Sequence, residues 1–265
     1  MAVFQQVLWG YELTYPDDWV HETQGPIEAF AAVPEALSPD YVGNNSGQIL
    51  VRGEWNCARQ AMEPIWSRHI GMLAGWLGAK QVGSAPWRMA GASGLEAEIV
   101  LPQKDQRRLW TGMLERNFTV LLFVVLHLKE EREIFEPVAT QIISSLRFPA
   151  EIAGVLTDDE GFPLPPDYSP IQPQSVIEDI SDPQNWRAYD GQSGVDALQA
   201  FYLREAPNYG WEIAEYVPFP SPSNLGFARL KLVKADRTVT LGLMPYKSES
   251  KSTTFPARLV FKLAN

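Results

Sequence analysis

Hydrophobic and polar residues alternate early in the chain. Val7, Trp9, Tyr11, Leu13 and Tyr15 fall on one side, with Glu12 and Thr14 between them. This period of two predicts a strand from Val7 to Tyr15 with one buried face. Pro16 ends it, because proline has no N–H to give to a ladder. Asp17 and Asp18 then predict a turn, since short carboxylates bond nearby backbone N–H groups. Trp19 and Val20 resume an extended path, with the indole anchoring the corner. "EAFAAVP" and "QILVRGEW" predict further strands; in the second, Ile49, Val51 and Trp55 face away from Gln48, Arg52 and Glu54. The period then changes. Met62, Ile65, Trp66, His69, Leu73, Trp76 and Leu77 recur at three- and four-residue steps, an amphipathic helix with Pro64 near its first turn. "GLEAEIVLP" alternates again, with Leu95, Ala97, Ile99 and Leu101 on one side. "RRLWTGMLERNFTVLLFVVLHL" predicts two strands joined near residues 115–117, the second apolar on both faces like a strand covered on both sides. Ile134, Phe135, Val138, Ile142 and Leu146 give a second helical stripe.

After Phe148 the pattern breaks. Five prolines lie between Pro163 and Pro173. Proline removes backbone donors and favours extended chain, so this stretch predicts a linker or surface strap outside the core. Regular patterning resumes by Val176. Ser193 can cap a helix whose first turn holds Asp196 and whose apolar face is Val195, Leu198, Phe201 and Tyr202, with Gly210 as its terminator. "YGWEIAEYV" predicts a strand. Three more alternate cleanly: Ala228, Leu230, Leu232; Val239, Leu241, Leu243; and Ala257, Leu259, Phe261, Leu263, the first two joined by "KADRT". The expected architecture is α+β. It places an antiparallel sheet flanked by helices over residues 1–149, a Pro-rich linker over 150–175, and a smaller module with one helix on an antiparallel sheet over 176–265.

The first half resembles the PsbP-like superfamily, which includes PsbP and DcrB-like proteins, over about residues 3–149. The residues that carry the resemblance are "YELTYPDDWV" with its Tyr-Pro-x-x-Trp corner, the mid-domain helix, the pair "RRLWTGMLE" and "FTVLLFVVL", and the closing "FEPVATQIISSLRF". The resemblance implies an antiparallel sheet between helices and a binding or assembly role. The second half, with "LQAFYLREAPNYGWEI", is similar to small bacterial modules with a Phe-Tyr then Gly-Trp pattern; that implies fold only.

Composition narrows the function classes. A net charge of −10 over 265 residues repels phosphates, which argues against nucleic acid and anionic lipid as partners. The longest apolar run, Val120 to Leu126, is far short of the roughly 20 residues of a membrane-spanning helix. The N-terminus lacks a basic stretch followed by a long apolar one, so a cytoplasmic location is expected. One cysteine, Cys57, allows no intramolecular disulfide and no cysteine-based metal site. The three histidines, His21, His69 and His127, show no metal spacing. His69 lies on its helix's apolar stripe and reads as a core or rim histidine. Asp17 and Asp18 are adjacent, and side chains of neighbouring extended residues point apart, which weakens a shared-proton pair. His21 shows no orienting partner. Cys57 lacks a base beside it in sequence, and a nucleophile needs one.

No catalytic, metal-binding or cofactor-binding residue is therefore expected, and no cofactor. The leading expectation is a non-catalytic binding or assembly factor with a protein partner. Its rivals are a DcrB-like chaperone for apolar segments of exported proteins and a hydrolase with a site between the domains. Convergence of Cys57 and His21 in one cleft would favour the hydrolase.

Overall fold

The computed structural model of the chain describes residues 1–38, 40–41, 43–102, 106–221, 224, 226–246 and 256–264. By its internal contacts the chain forms two compact units. The first is Met1–Gln5 with Tyr11–Phe148; the second is Gln6–Gly10 with Pro149–Asn265. Among the described residues, no helix is long and apolar enough to cross a membrane.

The first unit opens with β1 (Ala2–Gln6) and β2 (Tyr11–Tyr15), which pair with each other. Its remaining elements are β3 (Val20–Gln24), β4 (Ile27–Ala31), β5 (Gln48–Trp55), α1 (Met62–Leu77), β6 (Lys80–Gln81), β7 (Ala85–Met89), β8 (Ala92–Val100), β9 (Arg107–Arg116), β10 (Thr119–Leu128) and α2 (Arg132–Ser144). Eight of the strands form one antiparallel sheet in the order β3-β4-β5-β10-β9-β8-β6, with β7 also paired to β8. Successive side chains on a strand point to opposite faces. The even positions of β10, Val120 to Leu126, join Met113 of β9 and Ala97 and Ile99 of β8 beneath Ile65, Trp66 and Leu73 of α1. On the other face Phe135 of α2 stacks on Trp19 at 5.7 Å and meets His127 of β10 at 5.3 Å. Helices on both faces explain why β10 is apolar throughout: each of its residues from Val120 to Leu128 is buried.

The predicted Asp17–Asp18 corner forms, with the Trp19 amide donating to the Pro16 carbonyl at 3.0 Å. Trp19 itself is half-buried. Two expectations fail within residues 1–148. The strand from Val7 to Tyr15 is interrupted: Gly10 has φ +75°, its amide donates to the Gln6 carbonyl at 2.9 Å, and the chain turns back so that β1 pairs with β2. A left-handed φ is open to glycine at little cost, so alternation alone does not reveal the turn. The Val7 and Leu8 carbonyls of this turn accept hydrogen bonds from Arg204 of the second unit, the unit to which residues 6–10 belong. Ile134 is 78% exposed; the buried stripe of α2 is Phe135, Ala139, Ile142 and Ile143.

The second unit contains β11 (Leu156–Thr157), β12 (Pro163–Leu164), β13 (Ser169–Ile171), β14 (Trp186–Asp190), α3 (Val195–Asn208), β15 (Glu212–Val217), β16 (Ala228–Lys234), β17 (Arg237–Pro245) and β18 (Ala257–Ala264). Its main sheet is antiparallel in the order β13-β14-β18-β17-β16-β15. Leu198, Phe201 and Tyr202 of α3 pack with Leu230, Leu232, Val239, Leu241, Leu243, Leu259 and Phe261 of the sheet. Gly210 takes φ +78° just past the end of α3, as a helix terminator does. The Pro-rich stretch differs from its sequence reading. Phe162, Leu164 and Tyr168 enter the same core, and the Tyr168 hydroxyl donates to the Ala257 carbonyl at 2.7 Å. Prolines cannot donate to a ladder, but the aromatics between them are free to pack. Ser193 does not cap α3. Gly194 holds the N-cap position, and the Ser193 hydroxyl donates to Asp167 Oδ2 at 3.0 Å.

Candidate functional site

The first unit has a cavity on each face of its sheet. On the α1 side, the helix lies chiefly over β8, β9 and β10. Toward β4 and β5 it leaves a cavity of about 240 Å³, lined by Ile27, Leu50, Leu122, Val124 and Leu73 together with Gln24, Gln48, Arg52, His69, Met72 and Trp76. Met72 and Trp76, one helical turn apart, are both exposed large apolar side chains.

Two polar residues of this lining are deeply buried, Gln48 at 1% and His69 at 5% exposure. Its Nε2 lies 2.6 Å from Thr111 Oγ1, and Thr111 Oγ1 lies 2.6 Å from the Phe123 carbonyl. A carbonyl only accepts, and a hydroxyl has a single hydrogen, so Thr111 donates to Phe123. Thr111 must then accept from His69, which places the imidazole proton on Nε2 and leaves Nδ1 as a bare acceptor. Burial pushes the His69 pKa down to about 4; the Glu54 carboxylate opposes this, and the Arg52 and Arg68 guanidiniums add to it. The ring is neutral at pH 7.

His69 Nδ1, Gln48 Oε1 and Arg52 Nε are buried without a hydrogen-bond partner in the protein. Trp66 Nε1 and Tyr202 Oη complete that set among the described residues, so three of its five members come from residues lining this one cavity. Arg52 is otherwise held by Glu54, at 3.2 Å from Oε1, while Arg68 binds Glu54 Oε2 at 2.7 Å. The strand residues Gln48, Arg52 and Glu54 were legible as a polar face. That α1 would partly cover that face was not.

On the α2 side, a cavity of about 270 Å³ is lined by Trp87, Trp110, Val125, His127, Glu136 and Ile143, among others. Its charges are paired. Glu136 lies 3.5 Å from Arg108 Nε, 3.1 Å from Arg132 Nε and 3.6 Å from His127 Nε2. Arg108 also meets Glu98 at 2.8 Å, and Trp110 Nε1 donates to Glu96 at 3.1 Å. His127 Nδ1 donates to the Leu128 carbonyl at 2.7 Å. Thr140 and Ser144 of α2 add hydroxyls to the lining.

The residues singled out in the sequence are dispersed. Asp17 pairs with the N-terminal ammonium at 2.5 Å, and Asp18 is exposed. His21 does have an orienting carboxylate, contrary to its sequence reading: its Nε2 is 2.8 Å from Glu28 Oε2, which also accepts from the Thr23 hydroxyl at 2.7 Å. Glu28 lies seven residues away across the β3–β4 hairpin, a pairing set by strand register and not by a motif. Phe4 and Phe30 flank the His21 ring at 4.3 and 4.8 Å. His21 pairs with Phe30, and Phe30 with Ile49 at the start of β5, whereas Cys57 follows the end of β5. At about 3.3 Å per residue the two ends lie roughly 25 Å apart. Cys57 and His21 therefore do not share a cleft. Among the described residues, no group of three or more His, Cys, Asp or Glu side chains is placed to hold a metal ion.

No protein-family model and no curated protein sequence matches the chain. Solved structures do. A cyanobacterial PsbP from Synechocystis sp. PCC 6803 is 12% identical with a TM-score of 0.44, covering 56% of this chain and 92% of its own. LpqN of Mycobacterium tuberculosis, described as involved in cell envelope biogenesis, is 14% identical with a TM-score of 0.38, covering 52% of this chain and 83% of its own. A Bacteroides thetaiotaomicron protein is 9% identical with a TM-score of 0.39, covering 96% of this chain and 88% of its own. A PsbP is thus among the structures similar to this chain, as the resemblance of its first half implies; the likenesses assign neither an activity nor a partner.

Proposed function

We propose that the chain is a non-catalytic binding factor whose first unit holds an apolar partner in the cavity between α1 and the sheet. The observation that carries this reading is a concave cavity of about 240 Å³ walled by Ile27, Leu50, Leu73, Leu122 and Val124, with the exposed apolar Met72 and Trp76 at its lining. A concave, mostly apolar pocket with a few polar residues in its lining is the general form of a ligand site. The same groups are poorly suited to bond-making. A general base works best with a pKa near the operating pH. His69 is held far below neutrality, and its proton is committed to Thr111.

The test is saturation-transfer NMR on the full chain with a mixture of aliphatic compounds of about eight carbons bearing different head groups. Transfer to at least one of them, weakened several-fold by Trp76→Ala, is expected. Absence of transfer to every member would contradict the reading.

A further inference from the structure

The cavity on the α1 face has walls of two kinds. Seven of its lining residues lie on β3, β4, β5 and β10; the other four, His69, Met72, Leu73 and Trp76, lie on α1. β4, β5 and β10 are each hydrogen-bonded to a strand on both sides, so the sheet wall is held by its ladders. That wall is also deep. Leu122 is 2% and Val124 7% exposed, whereas Met72 and Trp76 of α1 are 41% and 44% exposed. A guest that packs on Leu122 and Val124 must displace part of the lining, and the part that can move is α1.

α1 is not held evenly along its length. Its N-terminal half carries Ile65, Trp66 and His69, all buried, and His69 is tied to Thr111 of β9. Beyond His69 the only buried residue of the helix is Leu73. The same stretch holds the helix's two interior glycines, Gly71 and Gly75. Both are exposed, and a Cβ built at either meets nothing within 4 Å, so no close packing calls for glycine there. Glycine inside a helix favours the unwound state roughly four- to fivefold over alanine, because it loses more backbone freedom on folding. Two of them favour unwinding by about twentyfold. Past the Gly78 cap, Ala79 is buried and residues 80–86 are all exposed, which leaves slack in the chain that follows.

Resting on the binding reading above, we propose that residues 71–78 of α1 are a gate on the cavity. They unwind about Gly71 to admit an apolar guest and re-form over it, bringing Met72, Leu73 and Trp76 against it. Burial of Leu73 keeps the closed form the resting one. Elements that open for a ligand come from the least stable parts of a fold. A gate of this kind sets how fast the guest enters and leaves, and not how tightly it is held, because the closed helix is present in both the free and the bound protein.

Two measurements on the full chain at pH 7 test this, each comparing wild type with the double substitution Gly71→Ala and Gly75→Ala. Amide hydrogen exchange needs no guest. In wild type the amides of residues 73–78 should share one protection factor, at least about tenfold below that of residues 67–70, and the double variant should raise it by about twentyfold. Stopped-flow tryptophan fluorescence with 1-octanol as the probe gives the rates. In the double variant association and dissociation should both slow several-fold, with the dissociation constant unchanged within about twofold. Protection that declines steadily toward Gly78, as at a fraying end, or 1-octanol rates that the two alanines leave unchanged, overturns the gate and leaves the binding reading standing. Failure of 1-octanol to bind overturns the binding reading and the gate with it.

Discussion

The two faces of the first unit's sheet carry cavities of similar size and opposite character. On the α2 side the polar groups answer one another: Glu136 meets Arg108, Arg132 and His127, Arg108 meets Glu98, and Trp110 meets Glu96. On the α1 side three polar atoms from Gln48, Arg52 and His69 meet nothing in the protein. The first cavity gains little by admitting a ligand, because its groups would have to exchange one partner for another. The second offers a guest the aliphatic walls of Ile27, Leu50, Leu73, Leu122 and Val124 with no ion pair to displace among them. A void by itself therefore says less about function than the hydrogen-bonding state of its lining.

This contrast can be broken from either face. The largest effect belongs to the covered side. Phe135 is buried beneath Trp19 and beside His127, and Phe135→Ala should cost on the order of 3–5 kcal/mol in a denaturant melt. A loss below about 1 kcal/mol would show that α2 does not seal its face as described.

The next effect isolates His69. Its pKa is held at about 4 in the folded chain against about 6.5 when unfolded, chiefly by burial. Between those values the unfolded state binds more protons, so stability is fully present above pH 6.5 and falls as the pH drops toward 4. His69 alone should account for a loss on the order of 3 kcal/mol across that window. Comparing wild type with His69→Leu at each pH separates this contribution from those of the carboxylates. Parallel pH profiles for the two proteins would mean that the ring is not buried neutral.

Glu136→Gln should be milder. Its two guanidinium partners, Arg108 and Arg132, are partly exposed, and ion pairs of that kind are worth about 0–1 kcal/mol, so a small loss that shrinks further in high salt is expected. A loss of several kcal/mol would mean that the α2 cavity is drier and more strained than its geometry indicates. The smallest stability effect should come from Trp76→Ala. The ring is 44% exposed, so the melt should move by less than about 1 kcal/mol while the binding of aliphatic probes weakens. Unchanged binding would shift attention away from α1.

Much of this contrast was readable only in part from the sequence. Alternation gave the strands of the second unit nearly residue by residue: Ala228, Leu230, Leu232, Val239, Leu241, Leu243, Leu259 and Phe261 are all buried as their spacing requires. The three- and four-residue steps of α1 placed His69 on its apolar side. Alternation identifies which residues share a face and is silent on what covers it, so Gln48 and Arg52 read as an ordinary polar face. Thr111 carries no signal at all; its role follows from lying on the face of β9 that α1 covers, which is a matter of tertiary packing. Short edge strands such as β6 and β13 are too brief to show a period, and the aromatics between prolines, Phe162 and Tyr168, were masked by their neighbours' turn chemistry. The His21–Glu28 pair depends on hairpin register, which a pattern of apolar residues around it leaves open.

The central claim is that the apolar cavity on the α1 face, whose lining includes the buried neutral His69, is a ligand site. The most direct measurement is a long-range proton–nitrogen correlation spectrum of the imidazole rings at pH 7, recorded without and with 1-octanol. The account predicts a neutral His69 with Nε2 carrying the proton, and a change in its ring resonances on addition of 1-octanol while His127 stays unmoved. A His69 that is protonated on Nδ1, or an octanol response at His127 and not at His69, would contradict it.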